Sequence, residues 1–130
     1  MTEEEHKAEL DRANAGYGMV GQRLLSETDD LRVWRIELAP GERVAYHKHV
    51  LNYFWTATSA GKSRSTCDDG RVADTEYAVG KTRHYHFGPG ESMVHDLENT
   101  GDTLLSFTTV ELKIGSANQA LALPPGTLER

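Results

Sequence analysis

Between Met19 and Ile114, apolar and polar residues alternate over short stretches, with turn residues roughly every eight to twelve positions. Residues 31–39 are the clearest case: Trp34, Ile36 and Leu38 share one parity, Arg35 and Glu37 the other. Successive side chains of a strand point to opposite faces, so this alternation predicts a half-buried β-strand. Further strands are predicted over residues 19–27, 43–49, 53–58, 62–67, 71–77, 81–87, 92–97 and 103–114. Pro40-Gly41, Asp68-Asp69-Gly70, Gly88-Pro89-Gly90 and the run from Asn99 to Asp102 supply the turns between them.

The first residues have a different texture. Thr2 with Glu5 forms a capping box, acidic residues fill the first turn and Gly16 can end the segment, so residues 2–14 are predicted as a short helix. Its apolar face is limited to Ala8, Leu10 and Ala15. Such a helix is marginal alone, and it is expected to fray or to rest on a partner subunit. The chain therefore divides into a helical arm (1–18), a β-barrel (19–114) and an extended tail (115–130) containing Pro124-Pro125-Gly126. Many short strands with no helix between them mean an all-β sandwich or barrel and exclude a helical bundle or an alternating βα fold.

Composition narrows the partners. A chain of 130 residues with one cysteine, Cys67, has no internal disulfide to form. It contains no apolar run long enough for a membrane helix, and its acidic start lacks the features of a secretory signal. A cytoplasmic protein is expected, without membrane contact. The net charge is −6 and the Lys and Arg residues are scattered, which argues against a nucleic-acid partner.

The chemistry concentrates in histidine. His47 and His49 lie two apart in a predicted strand, so both imidazoles share a face and can converge on one ion. A third, His95, follows a second Pro-Gly turn and precedes Asn99 by four positions. Gly41, His47, His49 and Gly61 match the spacing G-x5-H-x-H-x3,4-E-x6-G, and His95 with Asn99 matches the end of G-x5-P-x-G-x2-H-x3-N. In these two motifs the chain resembles the cupin superfamily, over roughly residues 31–112. The resemblance implies a single jelly-roll-like β-barrel holding a divalent transition metal (iron, manganese, nickel or zinc) on His47, His49 and His95. It also implies a small polar metabolite as ligand, with isomerase, lyase or dioxygenase chemistry in which the metal acts as a Lewis acid. Fold alone does not choose among these reactions. The alternative is a non-catalytic ligand-binding cupin without a catalytic metal.

One departure stands out. Counting back from Gly61 puts Phe54 at the glutamate position, the shorter spacing puts Tyr53 there, and no acid occurs between Val50 and Ser65. On the Phe54 register, Asn52, Phe54, Thr56 and Thr58 are expected to line the cavity. His86, Tyr53 and Glu111 are the candidates for moving a proton. His84 and His86 form a second H-x-H, facing either the cavity or the outside, and Glu111 is either a cavity carboxylate or an interface ion-pair partner. Small barrels expose sheet edges that are usually covered, so a homodimer is expected.

Overall fold

A computed structural model describes residues 1–128. Two antiparallel sheets face each other across the core. Five strands, β1 (Arg23–Glu27), β2 (Leu31–Leu38), β9 (Leu105–Leu112), β4 (Asn52–Ala57) and β7 (Thr82–Tyr85), form the larger sheet in that spatial order. The smaller one runs β3 (Arg43–His49), β8 (Met93–Asn99), β5 (Gly61–Thr66) and β6 (Val72–Tyr77). Between them lie Ile36, Leu38, Val44, Ala57, Tyr77, Leu105 and Phe107, all buried. The all-β barrel expected from the alternation is the observed architecture, and the strand parities of β2 hold: Trp34, Ile36 and Leu38 point inward.

The turns follow from residue chemistry. Gly41 sits at φ +84, a left-handed conformation that side chains with a Cβ resist. Asn99 is the polar staple beside it, its carbonyl accepting from Gly41 N–H at 2.9 Å. Its Nδ2 donates to the carbonyls of Leu38 and Thr103, and its Oδ1 accepts from Gly101 N–H. The asparagine of the second motif thus closes a turn and joins the two sheets.

Three terminal features depart from expectation. The first strand begins only at Arg23. Ahead of it Gly21 crosses Trp34 so closely that a Cβ would lie 2.7 Å from the Trp34 Cβ, an approach only glycine permits. The helix α1 (Glu3–Asn14) has its predicted capping box and is held by its own chain rather than left to fray. Ala13 packs on Tyr46 and Val94, while Glu9 accepts two bonds from Arg43 and one from Tyr46 N–H. The tail does not simply lie along the surface. Leu123 and Leu128 pack against Val20, Leu24 and Trp34, and Arg32 donates to the Leu121 carbonyl. None of the helices is long and apolar enough to cross a membrane, among the described residues.

Candidate metal centre

Strand β3 turns its two histidines toward the core only through a defect. Val44 points inward and pairs with Leu97, yet His47 pairs with His95, so three residues on β3 span two on β8. The extra residue is a β-bulge, which shifts side-chain parity by one. Without it, inward Val44 would put Tyr46 in the barrel and turn His47 and His49 outward. With it, Tyr46 packs beneath α1, and both histidines are 2% exposed inside.

The bulge also fixes a tautomer. His47 Nδ1 lies 2.7 Å from the Ala45 carbonyl, which can only accept, so Nδ1 carries the proton and Nε2 keeps its lone pair. A parallel device acts on His95. Ser65 Oγ donates to the Asp96 carbonyl at 2.7 Å and therefore accepts from His95 Nδ1 at 2.9 Å, again leaving Nε2 free. His49 differs: its Nδ1 is buried and has no hydrogen-bond partner among the described residues.

The potential ligand atoms of His47, His49 and His95 all lie within 4.8 Å of one another. The Nε2 atoms of His49 and His95 are 3.1 Å apart. Two nitrogens bound to one ion at about 2.1 Å each come to about 3.0–3.4 Å of one another. Burial lowers all three imidazole pKa values, that of His47 to about 4 and those of His49 and His95 well below the ordinary value. All three are consequently neutral near pH 7, the state in which imidazole binds a metal. Converging neutral nitrogens, two preset tautomers and an orphaned buried nitrogen fit a first-row divalent ion.

The carboxylate position of the first motif goes to Tyr53. Its ring stacks on His49 with centroids 4.0 Å apart, and Tyr85 and Phe87 stack on its far side. This corrects the expected cavity lining: Tyr53 and Trp55 face the cavity, whereas Phe54 turns to the outer face against His84. The reason is parity, since Tyr53, Phe54 and Trp55 are consecutive aromatics and either register buries a ring. His84 and His86 share Phe54's side and are exposed, so His86 is not beside the three histidines as a proton-moving group there would have to be. Glu111 is buried but outside the cluster, accepting from Trp34 Nε1 at 2.6 Å. Cys67 is half-buried and pairs with His95 through the backbone only.

A cavity of about 50 Å³ adjoins the histidines. Its wall includes Tyr53, Trp55, Tyr77, Leu97, Phe107 and Thr109. Sequence reasoning passed over Ser65 and the Ala45 carbonyl. Ser65 had a faint signal: it shares parity with Ser63, whose hydroxyl bonds Tyr77 Oη inside the barrel at 2.7 Å. The bulge carbonyl had none.

No family model and no curated protein matches this sequence. Solved structures do match it in fold. A cupin domain from Bordetella pertussis superposes with a TM-score of 0.59 at 18% identity, over 71% of this chain and 97% of that one. An uncharacterized protein with a double-stranded β-helix domain from Klebsiella pneumoniae gives 0.57 at 26% identity, over 77% and 75%. An RmlC-like cupin family protein from Methanocaldococcus jannaschii gives 0.54 at 21% identity, over 69% and 76%.

Proposed function

We propose that this chain, which has the cupin fold, is a metal-binding cupin acting on a small molecule, with His47, His49 and His95 as ligands of one divalent transition metal. The observation that carries the reading is the convergence within 4.8 Å of three neutral imidazoles, two buried and one half-buried, with two of them preset as Nε2 donors. An all-nitrogen set with no carboxylate favours iron, nickel or zinc over harder, oxygen-preferring ions. Bound there, the metal would supply Lewis acidity toward a carbonyl or enolate oxygen.

The chain's own residues do the rest. Ala45 and Ser65 hold two imidazoles in orientation. Aromatic rings around Tyr53 exclude water from one side of the histidines. Of the three candidates for moving a proton, Tyr53 alone touches a ligand histidine. Burial raises its phenol pKa well above the ordinary value, so the phenol keeps its proton and offers a hydrogen bond rather than acting as a base. Isomerase, lyase and dioxygenase reactions are all compatible with such a site.

A non-catalytic ligand-binding role is the second reading, favoured by the replacement of the motif's carboxylate with Tyr53. Chelation separates the two. A catalytic metal should leave with its activity while the fold still melts cooperatively, whereas a structural metal takes stability with it. Isothermal titration of the chelated chain with zinc or iron(II) is the direct test of the metal site. Saturable binding supports it and featureless heats reject it. We also propose a homodimer in which the large sheet's outer face meets a second copy. Its support is a half-exposed row, Val33, Val110 and Phe54, paired in register across β2, β9 and β4.

A further inference from the structure

We infer that the cavity beside the three histidines selects a compact chelator with a short alkyl body and at most one negative charge, in place of the small polar metabolite that the motifs alone suggest. This rests on the metal reading above and adds the chemical class of what the metal site receives.

Charge is the first argument. Apart from the histidines, the wall is made of apolar and aromatic side chains with the hydroxyls of Tyr53, Tyr77 and Thr109, and no Lys, Arg, Asp or Glu lines it among the described residues. Tyr77 Oη is already bonded to Ser63. The cations nearby, half-buried Arg43 and buried Arg32, are committed elsewhere: Arg43 to Glu9 and Asp96, Arg32 to Glu27 and the Leu121 carbonyl. Arg83 lies over the Tyr85 ring, but it is exposed and outside the wall. The oxygens of a dicarboxylate that do not bind the metal would face this wall with no cation to meet them, and a buried anionic oxygen without a partner is costly. An alkyl group there gains about 25 cal/mol per Å² of apolar surface removed from water.

Size is the second argument. The space is about 50 Å³, whereas an apolar cavity that accepts benzene is about 150 Å³. Trp55 limits it, held edge-on by Tyr77 and Phe107 at 5.3 and 5.5 Å. A few heavy atoms fit beside the chelating head. A phenyl ring does not.

The test uses the full chain loaded with cobalt(II), titrated with acetohydroxamate, benzohydroxamate and oxalate. Visible absorption of the cobalt and tryptophan fluorescence report binding, and each dissociation constant is divided by that of the same chelator for aquated cobalt(II). The expected order is acetohydroxamate at least tenfold ahead of both others, with Trp55→Ala recovering most of the deficit of benzohydroxamate. Oxalate binding as well as acetohydroxamate would overturn the inference while leaving the metal site intact, and would point to Arg83 reaching inward. Benzohydroxamate matching acetohydroxamate in the unaltered chain would overturn the size limit. Failure to take up cobalt at all would overturn the metal reading and this inference with it.

Discussion

The imidazole of His49 lies face to face with the phenol ring of Tyr53, centroids 4.0 Å apart and planes inclined by 11°. An aromatic thus stands where the first cupin motif has a carboxylate, and its neighbour Phe54 points the other way. A carboxylate restored at the inward position should therefore act on the metal, and one at the outward position should not. Tyr53→Glu is expected to raise manganese(II) affinity by about tenfold or more, since it adds a hard oxygen donor to an all-nitrogen set. Phe54→Glu is expected to leave it unchanged. Titration calorimetry on both variants decides the matter, and a gain for Phe54→Glu alone would mean that β4 is registered one residue away from the arrangement described.

That pair also shows where the sequence stops speaking. The alternation of Trp34, Ile36 and Leu38 names one face of β2 because polar residues occupy the other. The run Tyr53-Phe54-Trp55 is apolar on both, so its parity depends on the opposite sheet. The three histidines were legible through spacing: H-x-H within a strand, and His95 four before Asn99. That His47 and His49 point inward was not derivable from Val44, because a bulge intervenes and nothing in Val44-Ala45-Tyr46 marks it. The helix was legible from Thr2 and Glu5. Its docking was not, since it depends on Glu9 meeting Arg43, 34 positions away. The tail's packing on Trp34 was hidden for the same reason.

Ser65 should matter to metal affinity without touching the metal. Its hydroxyl joins His95 Nδ1 to the Asp96 carbonyl and so sets the tautomer that leaves Nε2 free. Loss of such a supporting bond typically costs about 10–100-fold in affinity. Ser65→Ala is expected to weaken zinc binding within that range, with Ser65→Thr restoring most of it. Zinc affinity unchanged in Ser65→Ala would show that packing alone orients His95.

Glu111 gives the fold a pH dependence of definite sign. Burial lifts its carboxyl from the ordinary 4.5 to about 7, with the Trp34 hydrogen bond opposing. The folded chain then keeps a proton that the unfolded chain releases. Its favourable contribution is complete below pH 4.5 and is lost as the pH rises to about 7. The ceiling on that loss is about 3 kcal/mol, at 1.36 kcal/mol for each unit of pKa. In Glu111→Gln the amide oxygen can still accept from Trp34 and nothing titrates. The stability of the natural chain relative to this variant is expected to fall between about pH 5 and about pH 8. The buried histidines, whose lowered pKa values act in the opposite sense as pH falls, are common to both chains and cancel. Denaturant melts at the two pH values check it, and a constant difference would contradict it.

The row Val33, Val110 and Phe54 should hold two copies together. Light scattering at micromolar concentration is expected to return about twice the chain mass of 14.4 kDa. Val110→Arg, which puts an unpaired charge in the middle of the row, should return the single-chain mass with an unchanged circular dichroism spectrum. A natural chain that already scatters as 14.4 kDa would contradict the dimer.

The central claim is that His47, His49 and His95 hold one metal ion, and elemental analysis of the untagged chain beside His95→Ala tests it most directly. His95 comes from β8 and the other two from β3, so its removal opens the site while leaving both strands paired. After exposure to iron, manganese, nickel or zinc and desalting, the natural chain is expected to carry roughly one equivalent of metal. His95→Ala should carry less than about a tenth while keeping a cooperative melt. A natural chain that retains less than about a tenth of an equivalent, or a His95→Ala variant that retains all of it, would contradict the account.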